Sequence, residues 1–170
     1  MNSNSFLKLD YEQDEVVSAQ RMRFLHSSRF KLLAILGVFG TIALSLQQAW
    51  LWQKEGALPV TWYTPIYLPL VFGGIFVAVY FFAPSVDFRV NSQWRNTFDL
   101  YLENNVFRIT AIGKIQGIEK AWDKVKQVLE NDKVYVMFFD SEQEFIIMPK
   151  RVLKEQAGFV QDKLTRKAKI

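Results

Sequence analysis

The sequence predicts an α+β membrane protein. A transmembrane helical hairpin leads into a C-terminal antiparallel β-sheet or split barrel that one C-terminal helix closes. Three observations carry this. No charged residue occurs from Leu32 to Gln53 or from Gly56 to Val86, and only Lys54 and Glu55 stand between the two runs. After Asp87 the pattern turns to short alternating strands. The chain then finishes in an amphipathic stretch, with Leu153, Ala157, Val160 and Leu164 at i, i+4, i+7 and i+11.

The N-terminal arm comprises residues 1–31. In FLKLDY, Leu7, Leu9 and Tyr11 alternate with Phe6, Lys8 and Asp10, which predicts a strand with one apolar face. Such a strand needs an edge to pair with, and the C-terminal sheet on the same side of the membrane offers one. A helix follows, with Glu12, Asp14 and Glu15 early and Arg21, Arg23 and Arg29 late, an order that complements the helix dipole. Either it runs along the membrane surface or it joins the first span directly. His26 is the only histidine, and no ligand cluster surrounds it.

Residues 32–53 and 61–84 are the expected spans. A bilayer core takes about 20 apolar residues in a helix, and both runs reach that length. Residues 54–60 form the external turn between them. Lysine and arginine flank the outer ends of the pair: Lys8, Arg21, Arg23, Arg29 and Lys31 before it, Arg89 and Arg95 after it. The connecting turn has Lys54 alone. Basic flanks mark the cytoplasmic side, so both termini are expected in the cytoplasm of a bacterial inner-membrane protein. Trp50, Trp52, Trp62 and Tyr63 gather at the turn, where amphipathic rings favour the headgroup level.

Small residues allow close helix approach in lipid. Ala34, Gly37, Thr41 and Ser45 in the first span, with Gly74 and Ala78 in the second, predict the packing face of the hairpin or of a homodimer. The hydroxyls of Thr41 and Ser45 can return to the helix backbone. Pro65 and Pro69 are expected to start or kink the second helix, and Pro84 to end it. Neither span contains an ionisable residue, which argues against a stand-alone transporter or channel.

The domain at 87–170 opens with a hairpin, TFDLYLE and VFRITA around Asn104–Asn105. A short strand lies in GKIQGIEKAW. VKQVLEND and KVYVMFF form a second hairpin about Asn131–Asp132, and EFIIM is the last strand. Phe145 and Ile147 should face opposite to Ile146 and Met148. Pro149 should open the terminal helix, which is expected to run to Lys167.

The order of these elements resembles the YcxB-like family of small bacterial membrane proteins. The resemblance rests on the hairpin about Asn104–Asn105, on AWDKVKQVLENDKVYVMFF and on FIIMPKRVL, together with the preceding spans. It implies a C-terminal module of pleckstrin-homology type and no catalytic residues. Trp122 is expected to anchor the core through its indole N–H, and Asp123 to cap the turn after it.

No catalytic constellation is present. The chain has no cysteine, which excludes thiol chemistry and disulfides. GKIQG lacks the spacing of a phosphate loop, and Asp140, Glu142 and Glu144 crowd a strand turn as a solvated hairpin tip would. Fifteen basic and twelve acidic side chains after residue 86 are too balanced for a nucleic-acid surface.

The expected function is a non-enzymatic, membrane-anchored interaction module with no cofactor or metal. Its partner is a protein or anionic lipid, met through a sheet edge or through Lys120, Lys124, Lys126, Lys150 and Arg151. The alternative is an accessory subunit of a larger membrane assembly such as a transporter, held by the small-residue faces of the spans. Lys150 and Arg151 stand in a helix first turn, where the dipole disfavours cations, so their charge is expected to have a use.

Overall fold

The computed structural model describes residues 5–56, 63–112, 117–141 and 143–165. Trp62, most of the external turn, 113–116, Glu142, Arg166 and Lys167 lie outside the described residues. The chain divides into two compact units, Met1–Arg23 with Pro84–Ile170, and Phe24–Ala83.

The first unit is built from two antiparallel sheets. Strands β1 (Ser5–Leu9), β2 (Phe98–Leu102), β3 (Val106–Ala111) and β4 (Gly117–Ala121) form one sheet in sequence order. Strands β5 (Gln127–Glu130), β6 (Val134–Phe138) and β7 (Phe145–Pro149) form the other. β1 does take the edge of the C-terminal sheet, pairing with β2 in the register Leu7↔Leu100. Its apolar side is the expected one: Leu9 is fully buried, and Leu7 and Tyr11 pack on the same core.

That core lies among the two sheets and the terminal helices α5 (Lys150–Leu153) and α6 (Ala157–Thr165), with Leu100, Phe107, Met137, Met148, Leu153 and Val160 at its centre. At Gly117 a side chain would collide with Thr110 and the Ile109 carbonyl, so the β3–β4 approach requires glycine there.

A second apolar cluster covers the opposite face of the β5–β7 sheet. Val16 and Ala19 of α1 (Gln13–His26) pack there with Trp94 against Val134, Val136, Phe138 and Ile147. β6 is therefore buried on both faces, which explains why VYVMF is a continuous apolar run rather than an alternating one. The opposed pairs in β7 separate as expected: Ile146 and Met148 go to the first core, Phe145 and Ile147 to the second.

Residues 5–23 of the N-terminal arm belong to the same compact unit as the C-terminal domain. Of the two alternatives for the helix after the strand, the direct junction holds: α1 ends at His26 and the next helix begins at Ser28. One expectation needs correction: the terminal helix is not continuous. α5 is one turn long, and a 3-10 turn at Lys154–Gln156 separates it from α6. This break lets the adjacent Val152 and Leu153 both enter the core.

At the break Lys154 has φ 41° and ψ −115°, a conformation that favours glycine. Lys154→Gly is expected to stabilise the protein by about 1 kcal/mol through relief of this strain. A thermal melt checks it, and a lower melting temperature in the variant contradicts it.

The second unit is the hairpin. α2 (Ser28–Glu55) starts where the Ser27 hydroxyl accepts the Phe30 N–H at 3.2 Å and stops at Gly56, φ 66°. Pro65 lies in the first turn of α3 (Thr64–Val77). Pro84 does not end the second helix. The turn before it widens to π-helical spacing over Ala78–Phe82, with Ala83 N–H bonded to the Ala78 carbonyl, and α4 (Ala83–Val90) continues beyond. The widened turn accommodates the donor that proline lacks.

Ser28–Lys54 and Pro65–Val90 are each long and apolar enough to cross a membrane. Their large side chains are bare, Phe39 at 67% and Leu70 at 64% exposed, unlike those of a soluble core helix.

Candidate functional site

The five cations singled out from sequence do not form one patch. The register of β6 separates them, because Val134 pairs with Pro149 at one end of the strand and Phe138 with Phe145 at the other. Lys150 and Arg151 follow the first end. Lys126 belongs to the second, its N–H bonded to the Phe138 carbonyl at 2.9 Å.

Four of the five are also met by acids. Lys120 binds Glu144 and stands 5.2 Å from the Phe139 ring centre. Lys126 pairs with Asp140 at 3.2 Å. Lys124 is exposed. Lys150 Nζ reaches Glu130 at 2.6 Å and lies 4.7 Å over the Tyr135 ring. Partial burial alone would lower the Lys150 pKa; the Glu130 hydrogen bond and the nearby negative charges raise it overall.

Arg151 holds the N-terminal segment. Its Nε lies 3.1 Å from Glu15 Oε1 and 3.0 Å from Glu12 Oε1, and Nη1 lies 3.5 Å from Asp10 Oδ1. The Glu15 hydrogen bond is the main reason its pKa is raised. Glu15 is itself buried, at 4% exposure, and its other oxygen accepts the Glu12 N–H at 2.9 Å, closing the first turn of α1. The unfavourable position of Arg151 in a helix first turn is thus answered by a carboxylate 136 residues away in sequence.

Neighbouring contacts extend this clasp. Tyr11 donates its hydroxyl to the Ile147 carbonyl at 3.2 Å, and its ring meets Trp94 edge-on at 5.4 Å. Burial, reinforced by the Glu15 charge, pushes its pKa up. Asn131 Nδ2 donates to Ser18 Oγ at 2.6 Å. Asp87 Oδ2 accepts from Gln20 Nε2 at 2.6 Å and from Trp94 Nε1 at 2.7 Å. Glu15, Tyr11, Trp94 and Asp87 were missed from sequence. The available signal was the Glu12–Glu15 spacing just before an apolar pair.

Lys133 Nζ pairs with Asp14 at 2.6 Å, and that hydrogen bond is the leading cause of the lowered Asp14 pKa. A depressed carboxylate stabilises the fold above its unfolded pKa of 3.8 and stops doing so as pH falls through the folded value. Stability is therefore expected to drop below about pH 4, and Lys133→Ala should flatten this acid limb in melts recorded from pH 6 to pH 2.5. An unchanged limb contradicts the assignment.

The structural residues behave more simply. The Trp122 indole N–H donates to the Glu103 carbonyl at 2.9 Å, and its ring packs 4.7 Å from Phe107. Asp123 lies inside the short turn Trp122–Lys124, which has no side-chain cap. Pro149 ends β7 and is the N-cap of α5, one position before the first helical turn.

In the hairpin, Thr41 and Ser45 do return their hydroxyls to the Gly37 and Thr41 carbonyls, at 2.7 and 2.8 Å. Gly37 faces the Phe72 ring, and Gly40 receives Leu68. The packing is large side chain into glycine notch, not small against small. Gly74 has nothing within 4 Å of a Cβ position, and Ala78 begins the π turn.

An open strand edge remains. β4 pairs with β3 on one side, and among the described residues no strand pairs with its other side. Ile118, at 55% exposure, stands on that edge opposite the buried Ile109. Among the described residues no group of His, Asp and Glu is arranged to hold a metal ion.

Residues 108–164 match the family model described as YcxB-like protein. The match runs from β3 to α6 and leaves out β1, β2 and the spans, so it covers less of the chain than the sequence resemblance suggested. No curated protein and no solved structure matches the chain.

Proposed function

We propose that this chain, YcxB-like over residues 108–164, is a non-enzymatic, membrane-anchored interaction module whose domain docks an extended segment of a protein partner along β4. The observation that carries the proposal is the β4 edge, which no strand among the described residues pairs, with Ile118 exposed beside it. Exposed edges accept an added strand through main-chain hydrogen bonds, and alternate side chains supply specificity. An apolar residue of the incoming strand would cover Ile118 and extend the core face.

Two antiparallel sheets followed by terminal helices support the reading of a pleckstrin-homology-like module. The β1–β2 pairing supports the topology. The spans lie between these strands in sequence, and the joined unit supports a reading in which both flanks meet on one side of the membrane. The basic flanks favour the cytoplasmic side of an inner membrane for it.

The lipid version of the docking reading is weaker. Lys120, Lys126, Lys150 and Arg151 are already matched by carboxylates, which leaves little charge for anionic headgroups. The open backbone at Gly74 favours the second reading, an accessory subunit whose second span packs against a partner helix.

A photo-crosslinking residue at Ile118 in the full-length protein tests the proposal. The expected result is a crosslink to a polypeptide from Ile118 and none from Tyr101 on the outer sheet face. Crosslinks absent from Ile118, or equal at both sites, overturn it.

A further inference from the structure

The hairpin of α2 and α3 encloses an unfilled space. Beside the Gly37–Phe72 and Gly40–Leu68 contacts lies a groove of about 550 Å³. Phe30, Leu33, Val38, Pro69, Gly73 and Phe76 line it. The one hydroxyl on its wall, that of Thr41, is bonded to the Gly37 carbonyl. At Gly73 nothing stands within 4 Å of a Cβ position, so the groove reaches the helix backbone. Apart from Phe24, the lining belongs to helices fit to cross a bilayer. A groove at that depth opens to hydrocarbon, where water does not fill it, and leaving it empty forfeits the dispersion contacts of its lining.

Charge at one end narrows the choice of occupant. Phe30 lines the groove, and its neighbours Arg29 and Lys31 are exposed in the first turns of α2. No acidic residue follows before Glu55. In the domain, by contrast, Lys120, Lys126, Lys150 and Arg151 are matched by carboxylates. We propose that the groove binds one acyl chain of an acidic phospholipid whose phosphate is held by Arg29 and Lys31. Gly73 keeps the channel open, and the cations select the headgroup. This site is independent of the β4 edge.

The test is native mass spectrometry of the full-length protein, purified in mild detergent from membranes containing acidic and zwitterionic phospholipids. One retained phospholipid per chain is expected, acidic in headgroup. Gly73→Leu should weaken retention by about tenfold or more. Arg29→Gln with Lys31→Gln, at exposed positions, should abolish the preference for acidic headgroups. No retained lipid, retention indifferent to Gly73→Leu, or a headgroup preference that survives the double substitution overturns the proposal. A second copy of the chain retained in place of lipid does so as well.

Discussion

Arg151→Ala is expected to destabilise the domain by about 2–3 kcal/mol, discounted from the roughly 3–5 kcal/mol for breaking a fully buried ion pair. The discount reflects the guanidinium, which is 42% exposed, while the Glu15 side chain is only 5% exposed. Removing the cation leaves Glu15 buried with only the Glu12 N–H to bind it, and deprives Asp10, Glu12 and Glu15 of the guanidinium they share. Glu15→Gln in the Arg151→Ala background should recover part of the loss, because a neutral amide is less costly to bury. Denaturant melts of the four variants of this cycle give the coupling. A loss below 0.5 kcal/mol for Arg151→Ala, the range of an ordinary surface pair, would return Arg151 to the status of a solvated side chain.

Trp122→Ala is expected to cost about 3–5 kcal/mol, the range for truncating a buried aromatic ring. The indole fills the space between Phe107 and Phe159 and donates to the Glu103 carbonyl at the β2–β3 turn. Its loss opens a cavity and leaves that carbonyl unpaired. Trp122→Phe keeps most of the volume and isolates the hydrogen bond, with an expected cost of about 1–2 kcal/mol. Equal costs for the two variants would mean that volume plays no part.

The elements that could be read from sequence are those whose signal is local. Alternation located β1, β2 and β3, and Asn131 marked its turn because its side chain accepts the Lys133 and Val134 N–H groups, each at 2.9 Å. Trp122 was legible because a lone indole within strand-rich sequence needs both a core and an acceptor. What escaped depends on partners distant in the chain. The β6 run was recognisable as a strand, but α1 as the cover of its second face was not, since Val16, Val17 and Ala19 make too narrow a stripe to announce a sheet. Pro84 read as a stop because the π turn that accommodates it has no sequence signature of its own. The basic patch dissolved for the same reason. Lys150 and Arg151 are adjacent in sequence to no acid, and their carboxylates arrive only through strand register and through β1 returning to the sheet.

That return is the centre of the account: β1 and α1 belong to the C-terminal domain, with the membrane hairpin inserted between β1 and β2. The chain has no cysteine, so a pair can be introduced without background. Lys8 and Asp99 are direct cross-strand neighbours, whereas Thr110 is one strand further on, opposite Asp99. Opposed residues in an antiparallel pair lie about 4.5–5.5 Å apart at Cα, within disulfide reach. Under mild oxidation of membranes carrying the full-length protein, Lys8→Cys with Asp99→Cys should form an intramolecular disulfide rapidly and protect both thiols from alkylation. Lys8→Cys with Thr110→Cys should stay reduced. Free thiols in the first pair, or equal crosslinking in both, would contradict the joined domain.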